Sequence, residues 1–449
     1  MHPATSPTAN TPATRAHRTP FGRRRLLRGI AATAVVPLVL GAAACGDDDA
    51  SSDPDAPVTI EFFWWGGESR AELTEQALDL YEEKNPNVTI NPTWQAFTGY
   101  YDKLATISAG GNAPDIFQID DNGLAEYAGR NVTLDLTPFV SSGDIDLSNH
   151  PESLTQYGQI DGKQVAVAAG ENTPALVYDK TKITELGLPE PETGWTYDEF
   201  IAWGTQVTEA AGDGYWGAMD PSSDYKALWL WLRSQGKEFY DGPQLAFTEA
   251  DLTEWFQFWL DAREAGATPP ADVVHEAVGG GVSDQLVVTG KGATSFMWSN
   301  QLSELGKSTE SELGMVAYPG DPKGQWARAS LYWAGSRSTE HPEVVADVIN
   351  FLANDPEAAQ ILGVDRGLPS NIDNRETVQA GLDDPYMTAT VEFENALIPQ
   401  MGPAPAPPPQ GHGPLRSTLT TVAESVTYGQ ASPADAAAEF FRQAEATLE

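Results

Sequence analysis

One cysteine and six histidines stand in 449 residues, and 26 Lys and Arg face 64 Asp and Glu. A lone thiol closes no intrachain disulfide, so stability must come from packing. Beyond residue 45 the histidines are His150, His275, His341 and His412, too far apart in sequence for zinc-ligand spacing, and no metal is expected. The formal charge of −38 repels nucleic acid and anionic lipid. It describes a surface dense in carboxylates, which serves solubility and names no ligand. Gly279-Gly280-Gly281 lacks the spacing of a nucleotide fingerprint, and Gly290-Lys291 lacks the upstream glycine of a P-loop. No Gly-x-Ser-x-Gly elbow occurs, and no cofactor is expected.

The cysteine sits at the end of a particular segment. Gly29 to Ala44 carries no charge, follows a block of arginines and ends in small residues, with no acid before Asp47. It falls short of the about 20 apolar residues that span a bilayer. The layout is that of a secretory signal peptide over residues 1–44. Ala42-Ala43-Ala44-Cys45 resembles the bacterial lipobox, which implies a diacylglycerol on Cys45 and cleavage before it, although Ala42 replaces the preferred Leu. Arg23 to Arg28, "RRRLLR", resembles a twin-arginine signal with Leu26 in place of the usual Phe, so export by Sec or by Tat stays open. Residues 45–57 are acidic and rich in Ser and Pro, with too little apolar surface to fold, and read as a tether. Removal of six arginines takes the formal charge to −44. The remaining chain, about 390 residues long, can bury cores in two domains.

Val58 to Phe63 is β-rich and runs into Trp64-Trp65-Gly66-Gly67. Ser69 and Glu72 form a capping-box pattern, followed by Leu73, Ala77, Leu80 and Tyr81 at helical spacing up to Asn85-Pro86. Val88 to Trp94 returns as a strand, completing a βαβ unit. A second helix carries Tyr100, Leu104 and Ile107 and ends at Gly110-Gly111; then "PDIFQIDD", Pro114 to Asp121, reads as a buried strand ending in two carboxylates. This alternation predicts an α/β fold with an open, largely parallel sheet, whose ligands sit at strand ends. Trp255, Phe256, Trp259 and Leu260 have the spacing of a helical core face. Trp229 and Trp231 read equally as core or site. His341-Pro342-Glu343 opens a helix with Val345, Ile349 and Leu352 along one face, and Met401 to Pro414 is a proline-rich loop.

Trp64, Trp65, Glu68, Asp120 and Asp121 all fall at such ends. Adjacent residues of an extended chain point to opposite faces. Asp120 and Asp121 are therefore poorly placed to flank one glycosidic bond, as a hydrolase requires. A distant partner such as Glu68 or Glu171 keeps a surface glycoside-processing enzyme as the alternative. Binding suits them better, because ionised carboxylates accept strong hydrogen bonds from sugar hydroxyls, and Trp or Tyr faces lie flat against sugar C–H patches.

The stretches "IEFFWWGGESRAELTEQALDLYEEKNPNVTI", "YYDKLATISAGGNAPDIFQIDD", "DGKQVAVAAGENTPALVYDK", "TGWTYDEF", "NFLANDPEAAQILGVDRGLPSN" and "GQASPADAAAEF" together resemble extracellular solute-binding proteins of the carbohydrate-uptake class, the group containing maltose-binding protein. The resemblance implies a two-lobed periplasmic-binding-protein-like fold with a hinge and an interlobe ligand cleft. Lobe 1 is expected over 58–172 plus 328–373 and lobe 2 over 174–326 plus 374–449, with crossings near Thr173, Ala327 and Asp373. It implies a non-enzymatic, monomeric receptor that hands a carbohydrate to ABC transporter permease subunits from the outer face of the cytoplasmic membrane, which it touches only through its lipid. Carried over residue by residue, ligand contacts fall on Trp65, Glu68, Asp120, Asp121, Glu171 and Asn172, with Tyr225, Trp229, Trp298 and Asn300 from the second lobe. None of these is basic, which disfavours a phosphorylated ligand; a non-sugar solute in the same fold remains the other alternative. Where relatives often place a stacking aromatic, this chain has the proline loop around His412.

Overall fold

The computed structural model describes residues 56–448. The signal segment, Cys45 and nearly all of the tether lie outside the described residues. Strand Val58–Trp65 pairs in parallel along its whole length with Val88–Gln95 and, on its other side, with Ile116–Ile119. The connecting helices are Glu68–Lys84 and Tyr100–Ala109. Arg328–Gly335 then joins Ile116–Ile119 in antiparallel fashion and pairs with Val167–Asn172, completing five strands. A second sheet is antiparallel throughout, with Pro174–Asp179 between Thr294–Trp298 and Leu313–Ala317.

The expected largely parallel sheet is thus confined to three strands. Its antiparallel partner arrives after the chain has visited the second sheet, and so enters the first sheet running the other way. Two passages between sheets are short. Thr173 alone separates Val167–Asn172 from Pro174–Asp179, and residues 318–327 link the second sheet to Arg328–Gly335. Asp373 lies within helix Ile372–Ala380, and the following helix, Pro385–Leu397, packs beside the second sheet.

Thr59 and Glu61 of the first strand are exposed, but both faces of the sheet are covered along its second half, which explains why Phe62 to Trp65 are apolar without alternation. Ile60, Phe62 and Trp64 pack with Ala346 and Ile349 of helix Pro342–Asn354, whereas Phe63 and Trp65 join Tyr100 and Leu104. Trp255, Phe256 and Trp259 of helix Glu249–Glu264 are buried, as their spacing predicts. The capping box is not formed. Gly67 takes the N-cap position with extended backbone, so Glu68 becomes the first helical residue and its charge faces the positive helix end.

Candidate functional site

The strand end at Trp65 gathers an aromatic group. Its indole lies 5.5 Å from the Phe97 ring, 4.9 Å from Tyr100 and 6.0 Å from Tyr101. The Tyr101 hydroxyl donates to Asp120 Oδ1 at 2.5 Å and receives the Asp120 backbone N–H at 3.0 Å. Burial first, and the Asp120 carboxylate next, hold the Tyr101 phenol protonated far above its usual range. Asp121 departs from its expected strand position and begins helix Asp121–Gly129. Its Oδ2 meets Arg328 Nη2 at 2.5 Å, while Oδ1 is buried without a hydrogen-bond partner.

Arg328 connects the two sheets. Its Nη1 donates to the Tyr225 hydroxyl at 3.1 Å, and its guanidinium centre sits 4.4 Å from the Trp298 ring. Tyr225 is the first residue of helix Tyr225–Ser234, capped by Asp224, and Trp298 ends its strand. Lys226 Nζ lies 5.0 Å from the same indole and pairs with Asp224 at 2.7 Å. On the other flank, Asn172 Nδ2 donates to Asn300 Oδ1 at 3.1 Å, and Asn300 Nδ2 reaches the Asp365 carbonyl at 3.3 Å. Arg70 closes that flank, paired with Asp365 at 2.5 Å and directed at the Trp65 carbonyl.

A family model for bacterial extracellular solute-binding proteins matches residues 76–389. The chain belongs to that family. A multiple sugar-binding protein of Streptococcus mutans is 29% identical over 161 residues, covering 35% of this chain and 36% of that protein. The diacetylchitobiose binding protein DasA of Streptomyces coelicolor is 29% identical over 178 residues, 38% of this chain and 40% of that protein. The match therefore spans well under half the length of either relative. An extracellular solute-binding protein of family 1 from Alicyclobacillus acidocaldarius shares 26% identity and a TM-score of 0.68, over 88% of this chain and 99% of that one. The fold is the two-lobed α/β fold of solute-binding proteins.

Within this solute-binding protein the expected contact residues separate into distinct places. Trp65 and Asp120 meet through Tyr101; Asp121, Tyr225 and Trp298 meet through Arg328; Asn172 and Asn300 bond directly. Glu68 is exposed at its helix start, apart from these bonds. Glu171 turns to the crossing instead, where Arg375 Nη2 holds it at 2.8 Å. Trp229 is core: 2% exposed, packed on Phe239, Tyr240 and Trp326, with its indole N–H bound to Glu238. His412 is buried behind Tyr225, its ring 5.0 Å away, and shares a 2.7 Å hydrogen bond with the Tyr240 hydroxyl. Burial, with Arg416 next, pulls its pKa well below the usual range, so it props Tyr225 as a neutral ring.

Four participants escaped the sequence reading: Tyr101, Lys226, Arg328 and Arg416, whose guanidinium centre lies 4.3 Å from the Tyr225 ring. Three are basic, against the expectation of a site without cations. Lys226 adjoins Tyr225, and Arg328 adjoins the crossing expected at Ala327, so position gave a signal that residue type did not. At the first crossing, Glu394 is fully buried between hydroxyls, receiving Thr173 at 2.5 Å and Ser299 on its other oxygen. Among the described residues no group of three or more His, Cys, Asp and Glu is arranged to hold a metal ion, and no helix is long and apolar enough to cross a membrane.

Proposed function

We propose that the solute is a sugar or oligosaccharide bound between the lobes and delivered to an ABC-type permease by a receptor anchored through lipid on Cys45. One observation carries the reading. Each lobe offers an indole, Trp65 from the first and Trp298 from the second, and the first lobe brings an aspartate towards each, Asp120 through Tyr101 and Asp121 through Arg328. That pairing suits a polyol, which presents hydroxyl donors in its ring plane and C–H patches on its faces. The sugar-binding names of two partial relatives agree with it. The lobes in this reading are 58–172 with 328–380 and 174–326 with 385–448. The last boundary moves beyond Asp373 because Arg375 of that helix bonds Glu171 and the Pro369 carbonyl.

Calorimetry and thermal shift with a panel of mono- and oligosaccharides test the proposal. At least one is expected to bind below millimolar concentration and to raise the melting temperature, as any ligand selective for the folded state must. The Trp298→Ala variant is expected to bind that sugar about tenfold more weakly, the loss of one aromatic platform. A panel without a single binder, or an unchanged affinity in Trp298→Ala, would count against this site.

A further inference from the structure

Among the described residues no side chain forms an ion pair with Arg416. Its two cationic neighbours are paired, Lys226 with Asp224 at 2.7 Å and Arg328 with Asp121 at 2.5 Å. Arg416 lies against the Tyr225 ring, and among the described residues its buried Nε has no hydrogen-bond partner. In a chain with 64 acids and 26 bases, an unopposed guanidinium is not a consequence of composition. Together with Tyr225, Lys226 and Phe296 it lines a cavity of about 460 Å³, a volume within the range of small-ligand pockets. Two acids also reach this cavity. Asp224 is held by Lys226, and Glu424 bonds His275 Nδ1 at 2.8 Å, two turns further along the helix and about 12 Å from Arg416 by helical rise. The end of the cavity at Tyr225 is thus positive by one charge. A neutral ligand seated there would strip water from Arg416 and return no counter-charge, which is costly.

We infer that the solute carries a single carboxylate and that Arg416 receives it, so that the ligand is a uronic acid or an oligosaccharide ending in one. This rests on the sugar reading above and adds the charge. A carboxylate matches the planar fork of a guanidinium, whereas a phosphate dianion calls for more cationic charge than the one unpaired group here. The purified protein should be titrated calorimetrically with glucuronic, galacturonic and mannuronic disaccharides, each beside the neutral disaccharide of the same linkage, and with a hexose phosphate. At least one acidic member is expected to bind about tenfold more tightly than its neutral counterpart. Arg416→Gln should abolish that preference, and Arg416→Lys should keep part of it. Equal or tighter binding of the neutral members, a preference that survives Arg416→Gln, or tighter binding of the hexose phosphate would each overturn the inference and leave the sugar reading standing. Binding by no saccharide of either series would remove both.

Discussion

Replacing Arg328 with methionine is expected to destabilise the folded protein by about 3 to 5 kcal/mol, because it leaves a carboxylate buried without its partner. Arg328 and Asp121 are each 5% exposed and 2.5 Å apart. Asp121 Oδ1 already lacks a hydrogen-bond partner, so losing the guanidinium strips both oxygens. The effect should be specific to that pair. Arg328→Met combined with Asp121→Asn should recover a good part of the loss, since the remaining group is neutral. By contrast the exposed Lys182–Glu185 pair, at 3.4 Å, should contribute about 1 kcal/mol or less. Urea midpoints of the single and double variants measure both outcomes. A stability of Arg328→Met within about 1 kcal/mol of the unaltered protein would mean that Asp121 is not the buried, charged partner described above.

What the sequence made legible was local. Asn85-Pro86 ended one helix at Lys84, Pro342 opened another, and the apolar stretch before Asp120 gave a strand, because each depends on residues within a turn or two. Asp121 shows where locality fails: "QIDD" reads as extended chain, yet its second aspartate starts a helix whose neighbour in space is Arg328. Ser69 and Glu72 show a milder failure, since the helix begins at Glu68 with Gly67 as its N-cap, ahead of the side-chain cap. Trp229 could not be assigned from its spacing, because the deciding contacts come from Phe239, Tyr240 and Trp326. The cations at the site were missed for a related reason. A neutral sugar calls for aromatics and acids, whereas the pairing of acid with base across the fold is a tertiary fact.

The Glu394→Gln variant should show what that buried acid does at the crossing. Burial pushes the Glu394 carboxyl from 4.5 up to about 7, against the hydroxyls of Ser299 and Thr173, which favour the charged form. Glu171 adds to the upward push and Arg375 opposes it. Between those two pH values the folded chain keeps a proton that the unfolded chain has released. Stability contributed by this group is therefore full below pH 4.5, falls as pH rises, and levels off above 7. The integrated loss is about 3 kcal/mol. Glutamine is neutral throughout, so the stability difference between Glu394→Gln and the unaltered protein should grow by that amount in the variant's favour from pH 4.5 to pH 8. Denaturant midpoints at a series of pH values give the difference directly, with other titrating groups cancelling between the two proteins. A difference that stays constant across that range would show that Glu394 is ionised in the folded state and that Thr173 and Ser299 hold a carboxylate at the crossing, not an acid.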